Sequence, residues 1–241
     1  MPETTAAIVV IGNEILSGKT EDTNSRFLIK ELRELGVRVV RLVVVPDAVD
    51  EIAAVVRECS ERCDHVFTSG GVGPTHDDVT LAGVARAFGV PLQRHPQLER
   101  VLREFYGERI TERHLRMAEV PEGAELCGRG RWPALCCRNV YVLPGVPDLL
   151  HRKFTSLRER FRGDAFHLGE VFSSLDEGLL AAILEEVVAA FPDVEVGSYP
   201  RLAGTEWRVK ITLESRDAAR VKQARLALLE RLPAESLLPP E

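Results

Sequence analysis

Between residues 6 and 161, short apolar runs alternate with segments whose apolar residues recur at helical spacing. A continuous apolar run is typical of a buried strand, and a spacing of three or four residues is typical of an amphipathic helix. The predicted strands are 6–11, 37–45, 65–68 and 139–143, and the predicted helices are 23–35, 49–59, 78–88, 97–107 and 147–161. This alternation predicts an α/β sheet with helices on both faces, interrupted by an irregular stretch before residue 132.

The pattern changes after the polar segment 162–164. Strands are predicted at 166–172, 194–199 and 206–213, and helices at 176–190 and 218–232. The order strand, helix, two strands, helix favours a small α+β lobe with a partly antiparallel sheet. We therefore predict an α/β domain over residues 1–163 and a small α+β lobe over residues 164–241.

Composition narrows the class of protein without identifying it. The chain has 241 residues, of which 45% are apolar and 28% charged, as in ordinary globular proteins. A net charge of −6 argues against a general nucleic-acid binder. No apolar run approaches the roughly 20 residues of a membrane span, and residues 1–5 lack the basic start of a signal peptide. We expect a cytoplasmic protein that contacts neither nucleic acid nor membrane.

The chain has five cysteines, an odd number, and none forms a C-x-x-C pair. This pattern argues against a zinc site and suits a reducing compartment.

The segment 68–80 combines glycines and acids in one loop. Gly70, Gly71 and Gly73 follow a predicted strand, and Asp77 and Asp78 stand where the next helix is predicted to begin. Free backbone N–H groups and the positive end of a helix dipole attract anions. The segment therefore predicts a phosphate site.

Two interpretations of the acid pair remain open. Thr75-x-x-Asp78 also fits a capping box, in which a carboxylate satisfies the N–H groups of the first helical turn. A cap needs only one carboxylate, whereas two beside a phosphate repel it unless a cation lies between them. Mg²⁺ is held by one or two carboxylates together with phosphate oxygens, so the second interpretation predicts a metal.

Three more loops follow predicted strands. They contain Gly12 and Glu14, Asp47, and Gly145. The carboxyl ends of parallel strands share one edge of a sheet, and ligands of open α/β folds bind there. We therefore predict one site in which Asp77 or Asp78, with Glu14 or Asp47, binds metal and orients a water or phosphate group.

Other residues near these loops have two open interpretations each. Ser69 and Thr75 could donate hydrogen bonds to a ligand or serve the turn alone. In the stretch 127–133, Arg129 and Arg131 could meet phosphates and Trp132 could stack on a ring, but a solvated loop with Trp132 on the core is favoured. His76 is interpreted as a surface residue.

The stretches 11–18, 22–24, 69–80 and 143–147 together resemble the molybdopterin-binding domain of the competence/damage-inducible protein A type. Residues 139–150 and 197–200 are similar to the corresponding domain of eukaryotic FAD synthases. The resemblance implies a three-layer α/β/α molybdopterin-binding-like fold that assembles as dimers or trimers. It also implies a nucleotide or pterin ligand and, in some members, a K⁺-assisted pyrophosphatase that uses Mg²⁺ or Co²⁺ to split FAD or ADP-ribose.

Other members of the family adenylylate molybdopterin, and the aspartates that match Asp47 and Asp78 are the important ones there. This chain departs from the family pattern at Asn13, where an aspartate is usual, and at 127–137, which lacks the Asn…Gly-x-Ala-Pro-Gly loop. The leading hypothesis is a pyrophosphatase; the alternatives are a molybdopterin adenylyltransferase and a binding module without catalysis. The predicted site comprises the catalytic Asp77, Asp78 and Asp47, the metal ligands Glu14 and Asp78, and the ligand-binding Gly12, Ser69, Gly70, Gly71, Gly73, Thr75 and Gly145.

Overall fold

Two compact units make up the chain, Met1–Gly163 and Asp164–Glu241, here called unit 1 and unit 2. A computed structural model describes residues 3–128, 130, 132–201 and 207–238. None of the helices in this described part combines the length and apolar composition that spanning a bilayer requires.

Unit 1 is built on a six-stranded sheet with the strand order β2-β1-β3-β8-β7-β6. The strands of unit 1 are β1 (Thr5–Ile11), β2 (Arg38–Val45), β3 (His65–Ser69), β4 (Leu92–Arg94), β5 (Glu119–Pro121), β6 (Glu125–Cys127), β7 (Ala134–Cys137) and β8 (Val140–Leu143). Strands β2, β1, β3 and β8 run parallel to their neighbours, and β7 and β6 extend the sheet as antiparallel strands. Strands β4 and β5 form a separate pair. The four parallel strands therefore end at one edge.

Helices cover both faces of this sheet. They are α1 (Asn13–Leu16), α2 (Asn24–Glu34), α3 (Val49–Arg62), α4 (Thr80–Phe88), α5 (Pro96–Tyr106), α6 (Glu112–Arg116) and α7 (Pro147–Leu157). Alternate residues of β1 enter two different apolar clusters, Ile8 with the residues of α2 and α7, and Val9 with those of α3 and α4. A strand covered on both sides is apolar throughout, which explains the continuous run read from the sequence. The predicted three-layer α/β/α fold is confirmed.

Two predictions for unit 1 need correction. The helix expected from residue 78 begins at Thr80, so Asp77 and Asp78 lie in the preceding loop. The stretch expected to be irregular contains α6, β5 and β6. These elements have three to five residues each, too few to show a period.

Unit 2 is a small α+β lobe, as predicted. Its elements are β9 (His167–Ser173), α8 (Glu177–Ala190), β10 (Glu195–Pro200), β11 (Val209–Ser215), α9 (Ala218–Arg231) and β12 (Leu237–Leu238). The strands pair antiparallel in the order β10-β11-β9-β12. Carboxylates cap both helices, with Asp176 accepting from the N–H of Leu179 and Asp217 from that of Ala219.

Candidate functional site

The loops predicted to converge all leave the same edge of the unit 1 sheet. They follow β2, β1, β3 and β8, which are neighbours in that order. The N–H of Gly12 donates to the carbonyl of Val45, and the N–H of Gly70 donates to that of Leu143, each at 3.2 Å. These bonds continue the pairing of the sheet into the loops. Gly12, Asp47, Gly70 and Gly145 are thus brought to one edge, here called the carboxyl edge.

A tight glycine turn follows β3. The φ angles of Gly70 and Gly71 are +107° and +64°, a region that side chains other than glycine rarely adopt. A Cβ on Gly70 would overlap the carbonyl oxygen of Ile11, so this backbone packs directly against the end of β1. Thr80, the first residue of α4, closes the turn: its hydroxyl donates to the Gly70 carbonyl at 2.8 Å, and its N–H donates to that of Gly71 at 3.0 Å.

Asn24 joins the glycine turn to the Gly145 loop, a role that the sequence pattern did not predict. Its Nδ2 group donates to Ser69 Oγ at 3.0 Å and to the Gly145 carbonyl at 2.7 Å. Asn24 is 6% exposed, and its Oδ1 oxygen has no hydrogen-bond partner among the described residues. The sequence signal that could have identified Asn24 is its position four residues before Leu28, which places this polar residue on the apolar face of α2.

Ser69 is part of this network and is 2% exposed. Its hydroxyl oxygen accepts from Asn24, so it supports the loop from inside the protein. A direct contact between Ser69 and a ligand stays a prediction.

The acid pair is organised by Thr75. The Thr75 N–H donates to Asp78 Oδ2 at 2.8 Å, and the Thr75 hydroxyl lies 2.6 Å from Asp77 Oδ1 and 2.5 Å from Asp78 Oδ2. The hydrogen bond from the Thr75 side chain lowers the pKa of Asp77. The N-cap residue of α4 is Val79, and within the described part of the chain it makes no side-chain capping hydrogen bond. The capping interpretation is therefore wrong, and the acids belong to the loop.

Two neighbours of the acid pair differ in what they can contribute. A Cβ on Gly73 would collide with the Asp78 carboxylate, so this glycine leaves room for the acid. The His76 side chain is 98% exposed, with Nδ1 3.7 Å from Asp77 Oδ1, as expected of a surface residue.

The loops after β1 and β2 supply two more acids. The N–H of Asn13 donates to Asp47 Oδ2 at 2.8 Å, which joins the two loops. The Glu14 carboxylate folds back over Gly12, where a side-chain Cβ would collide with it. Glu14 is exposed and Asp47 is half-buried.

The chemistry of these donors fits a hard cation that is shared with a ligand. Within the described ranges, no group of three or more His, Cys, Asp or Glu side chains could hold a metal ion. Mg²⁺ is bound through one or two carboxylates plus phosphate oxygens and waters, so a protein cage is not required. The carboxylates of Glu14 and Asp78 are donors of the correct type, and their role as ligands stays a prediction.

Of the predicted contacts in the turn between β6 and β7, those of Arg129 and Arg131 lie outside the described residues. Trp132 is 38% exposed, and its ring meets the exposed ring of Phe105 edge to face, with centroids 5.2 Å apart. The expectation that Trp132 packs on the core is therefore wrong.

Comparisons with known proteins agree with this architecture. Residues 7–161 match the model of the probable molybdopterin binding domain, and residues 165–241 match that of the FAD synthase middle domain. The chain belongs to the molybdopterin-binding domain family. Both resemblances drawn from the sequence motifs are thereby confirmed.

Three relatives of this molybdopterin-binding family member illustrate the match. A probable FAD synthase of Caenorhabditis briggsae is 34% identical over 95% of this chain, which spans about half (49%) of that protein. A protein of Archaeoglobus fulgidus is 36% identical over 90% of this chain and 93% of its own length. The crystal structure of the protein CinA, of unknown function, from Thermoplasma acidophilum is 33% identical with a TM-score of 0.62, covering 66% of this chain and 98% of that one.

Proposed function

We propose that unit 1 binds a small phosphate-containing ligand, a nucleotide or a pterin, at the carboxyl edge. The observation that carries the proposal is the glycine turn, a backbone without side chains that lies among three other loops bearing acids or glycine. Backbone N–H groups of such turns are anion donors, but the Gly70 N–H is bonded to the Leu143 carbonyl, so the N–H groups of Gly71 and Gly73 are the proposed donors. The family match supports a pterin or nucleotide as the ligand class.

The reaction that we propose is hydrolysis of the diphosphate of FAD or ADP-ribose. Water adds through its oxygen to one phosphorus, the bridging P–O bond breaks, and its electron pair leaves with the other phosphate. FAD then gives FMN and AMP, and ADP-ribose gives ribose 5-phosphate and AMP. The acid pair beside the glycine turn and the similarity to a probable FAD synthase support this choice.

Each acid has a proposed part in this reaction. Asp77 and Asp78 orient the attacking water, and Asp47 holds the loop after β1 through the Asn13 N–H. Glu14 and Asp78 would hold a divalent cation, Mg²⁺ or Co²⁺, which neutralises phosphate charge when bound. A supporting K⁺ ion and assembly as dimers or trimers are further expectations.

Product analysis tests the proposal directly. The purified chain is incubated with FAD, with ADP-ribose, or with ATP plus molybdopterin, in Mg²⁺ or Co²⁺ and K⁺, and products are identified by mass spectrometry. AMP from a single dinucleotide supports hydrolysis. If neither dinucleotide yields AMP with either metal, the hydrolase proposal fails.

Asp78→Ala is the companion variant, with Asp50→Asn as its control. Asp50 is an exposed acid on α3, and it forms an ion pair with Arg86 on α4. We expect Asp78→Ala to lower kcat by about 10²-fold or more, the order of a lost positioning or charge-stabilising group. Asp50→Asn should retain full activity. Equal turnover in both variants would remove the proposed role of Asp78.

Two other functions have their own support. The match to a molybdopterin-binding family favours an adenylyltransferase, which needs ATP and molybdopterin together. A binding module without turnover is favoured by Asn13, which replaces a potential metal-binding aspartate. It is also favoured because no group of three or more metal-binding side chains occurs among the described residues. The same incubation separates them, because a transferase releases pyrophosphate only with both substrates and a binding module forms no product.

A further inference from the structure

Large apolar side chains are exposed around the polar loops of the carboxyl edge. Leu16 ends α1, Val146 and Leu149 stand at the start of α7, and Trp132 lies in the β6–β7 turn. Their exposed fractions are 54%, 57%, 47% and 38%. We call these four residues the apolar rim.

The strand register places Trp132 at this edge. Leu135 pairs with Val142 in the antiparallel β7–β8 ladder, so β7 begins beside the end of β8 at Leu143. Trp132 and Pro133, which directly precede β7, therefore lie beyond the edge where Gly145 lies. Neighbouring strands are about 4.8 Å apart, which puts these two residues beside the Gly145 loop. The loop that follows β3 is the next one along the sheet.

Two contacts hold the indole in place without covering it. The Lys153 ammonium, on α7, donates to the carbonyl of Trp132 at 3.2 Å and also to that of Pro133. Phe105 meets the indole at an interplanar angle of 83°, which is edge-to-face packing. The Trp132 carbonyl and the indole ring are each held by one neighbour. More than a third of the surface of Trp132 is left exposed to solvent.

We infer that Trp132, with Val146 and Leu149 of the apolar rim, forms a subsite for the flat heteroaromatic ring of the ligand whose phosphate lies at the glycine turn. The inference rests on the proposed phosphate site. Nucleotides and phosphorylated pterins join a charged phosphate to a planar ring, and the same edge of the sheet carries a polar turn after β3 and an exposed indole before β7. A ring that stacks on an aromatic side chain gains affinity that is independent of the phosphate contacts.

Binding of monophosphates tests the subsite without turnover. AMP and FMN each carry a ring and one phosphate, whereas inorganic phosphate carries no ring. Dissociation constants are measured by calorimetry with Mg²⁺ for the full chain, Trp132→Ala and Trp132→Phe. We expect Trp132→Ala to raise the Kd of AMP, FMN or both by about tenfold or more, and that of inorganic phosphate not at all. Trp132→Phe should recover most of the affinity.

Leu226→Ala is the control variant, because Leu226 is also exposed but lies on α9 of unit 2. It should leave every dissociation constant unchanged. Unchanged AMP and FMN affinity in Trp132→Ala, an equal loss for inorganic phosphate, or no binding of either ring ligand by the unaltered chain would each overturn the subsite. A change of oligomeric state in Trp132→Ala with unchanged affinities would instead make the rim a contact between copies.

The outcomes for the subsite and for hydrolysis are separable. Ring binding that depends on Trp132, without AMP production from FAD, supports the subsite and overturns hydrolysis. AMP production with unchanged KM in Trp132→Ala supports hydrolysis and overturns the subsite. If both proposals hold, Trp132→Ala raises KM with little change in kcat, because the ring is bound equally before and during the reaction.

Discussion

At the scale of single residues, Asn24 has the largest predicted influence on the site. Its amide holds Ser69 and Gly145 at once, so it fixes the separation between the two loops. A carboxylate of the same shape cannot donate to the Gly145 carbonyl. We expect Asn24→Asp to lower the free energy of unfolding by about 1–3 kcal/mol and to weaken the binding of inorganic phosphate. Chemical denaturation and calorimetry measure the two effects.

Asn139 provides the matched control. Its amide donates to the carbonyls of Ser60 and Cys63 at 3.0 and 2.9 Å, at the opposite end of β8. Asn139→Asp should destabilise unit 1 by a similar amount but leave phosphate affinity unchanged. If both variants lose affinity equally, or neither does, Asn24 has no special part in positioning the loops.

The close approach of Gly70 to β1 gives a second prediction for a single residue. Gly18 also has a positive φ, +69°, but a Cβ there would have nothing within 4 Å. Alanine at Gly18 therefore has only the backbone cost of about 1 kcal/mol, while alanine at Gly70 also collides with Ile11. We expect Gly70→Ala to destabilise by at least twice as much as Gly18→Ala in urea titration. Equal losses would show that the turn relaxes away from β1.

At the scale of elements, the strands and helices with a clear pattern of apolar residues were predicted from the sequence, and the short elements without such a pattern were missed. The strands 6–11 and 139–143 were recognisable because burial on both faces makes them almost continuously apolar. The edge strand 37–45 was recognisable from its many valines, although Val40 and Leu42 are exposed. The start of α4 was misplaced because Asp78 has the spacing of a cap but hydrogen bonds to Thr75. The approach of the β6–β7 turn to the carboxyl edge depends on antiparallel pairing between distant segments, which local pattern does not encode.

The anchoring of that turn by α7 predicts a pH dependence. Burial lowers the pKa of Lys153 from 10.5 to about 8. Between these values the unfolded chain binds more protons than the folded chain, so stability rises with pH across this window. Relative to Lys153→Met, the unaltered chain should gain up to about 3 kcal/mol between pH 7.5 and 10.5.

The comparison with Lys153→Met removes opposing contributions. Burial raises the pKa of Tyr141 and of Cys136 to about 12, which lowers stability as pH rises, but these groups are common to both proteins. Denaturation midpoints at several pH values measure the difference. Parallel curves for the two proteins would mean that the Lys153 ammonium is solvated rather than buried.

At the scale of the whole molecule, each unit has its own apolar core. Two clusters flank the sheet of unit 1, and a third, which includes Leu180, Ile211 and Leu228, lies in unit 2. A segment with its own hydrophobic core can fold independently.

We expect the separate chains 1–163 and 164–241 each to unfold cooperatively, and the first to bind phosphate with the affinity of the full chain. Circular dichroism during heating, together with calorimetry on each fragment, measures this. A fragment 164–241 without a cooperative transition would show that unit 2 depends on unit 1. A fragment 1–163 that folds but loses phosphate binding would show that the site cannot be assigned to unit 1 alone.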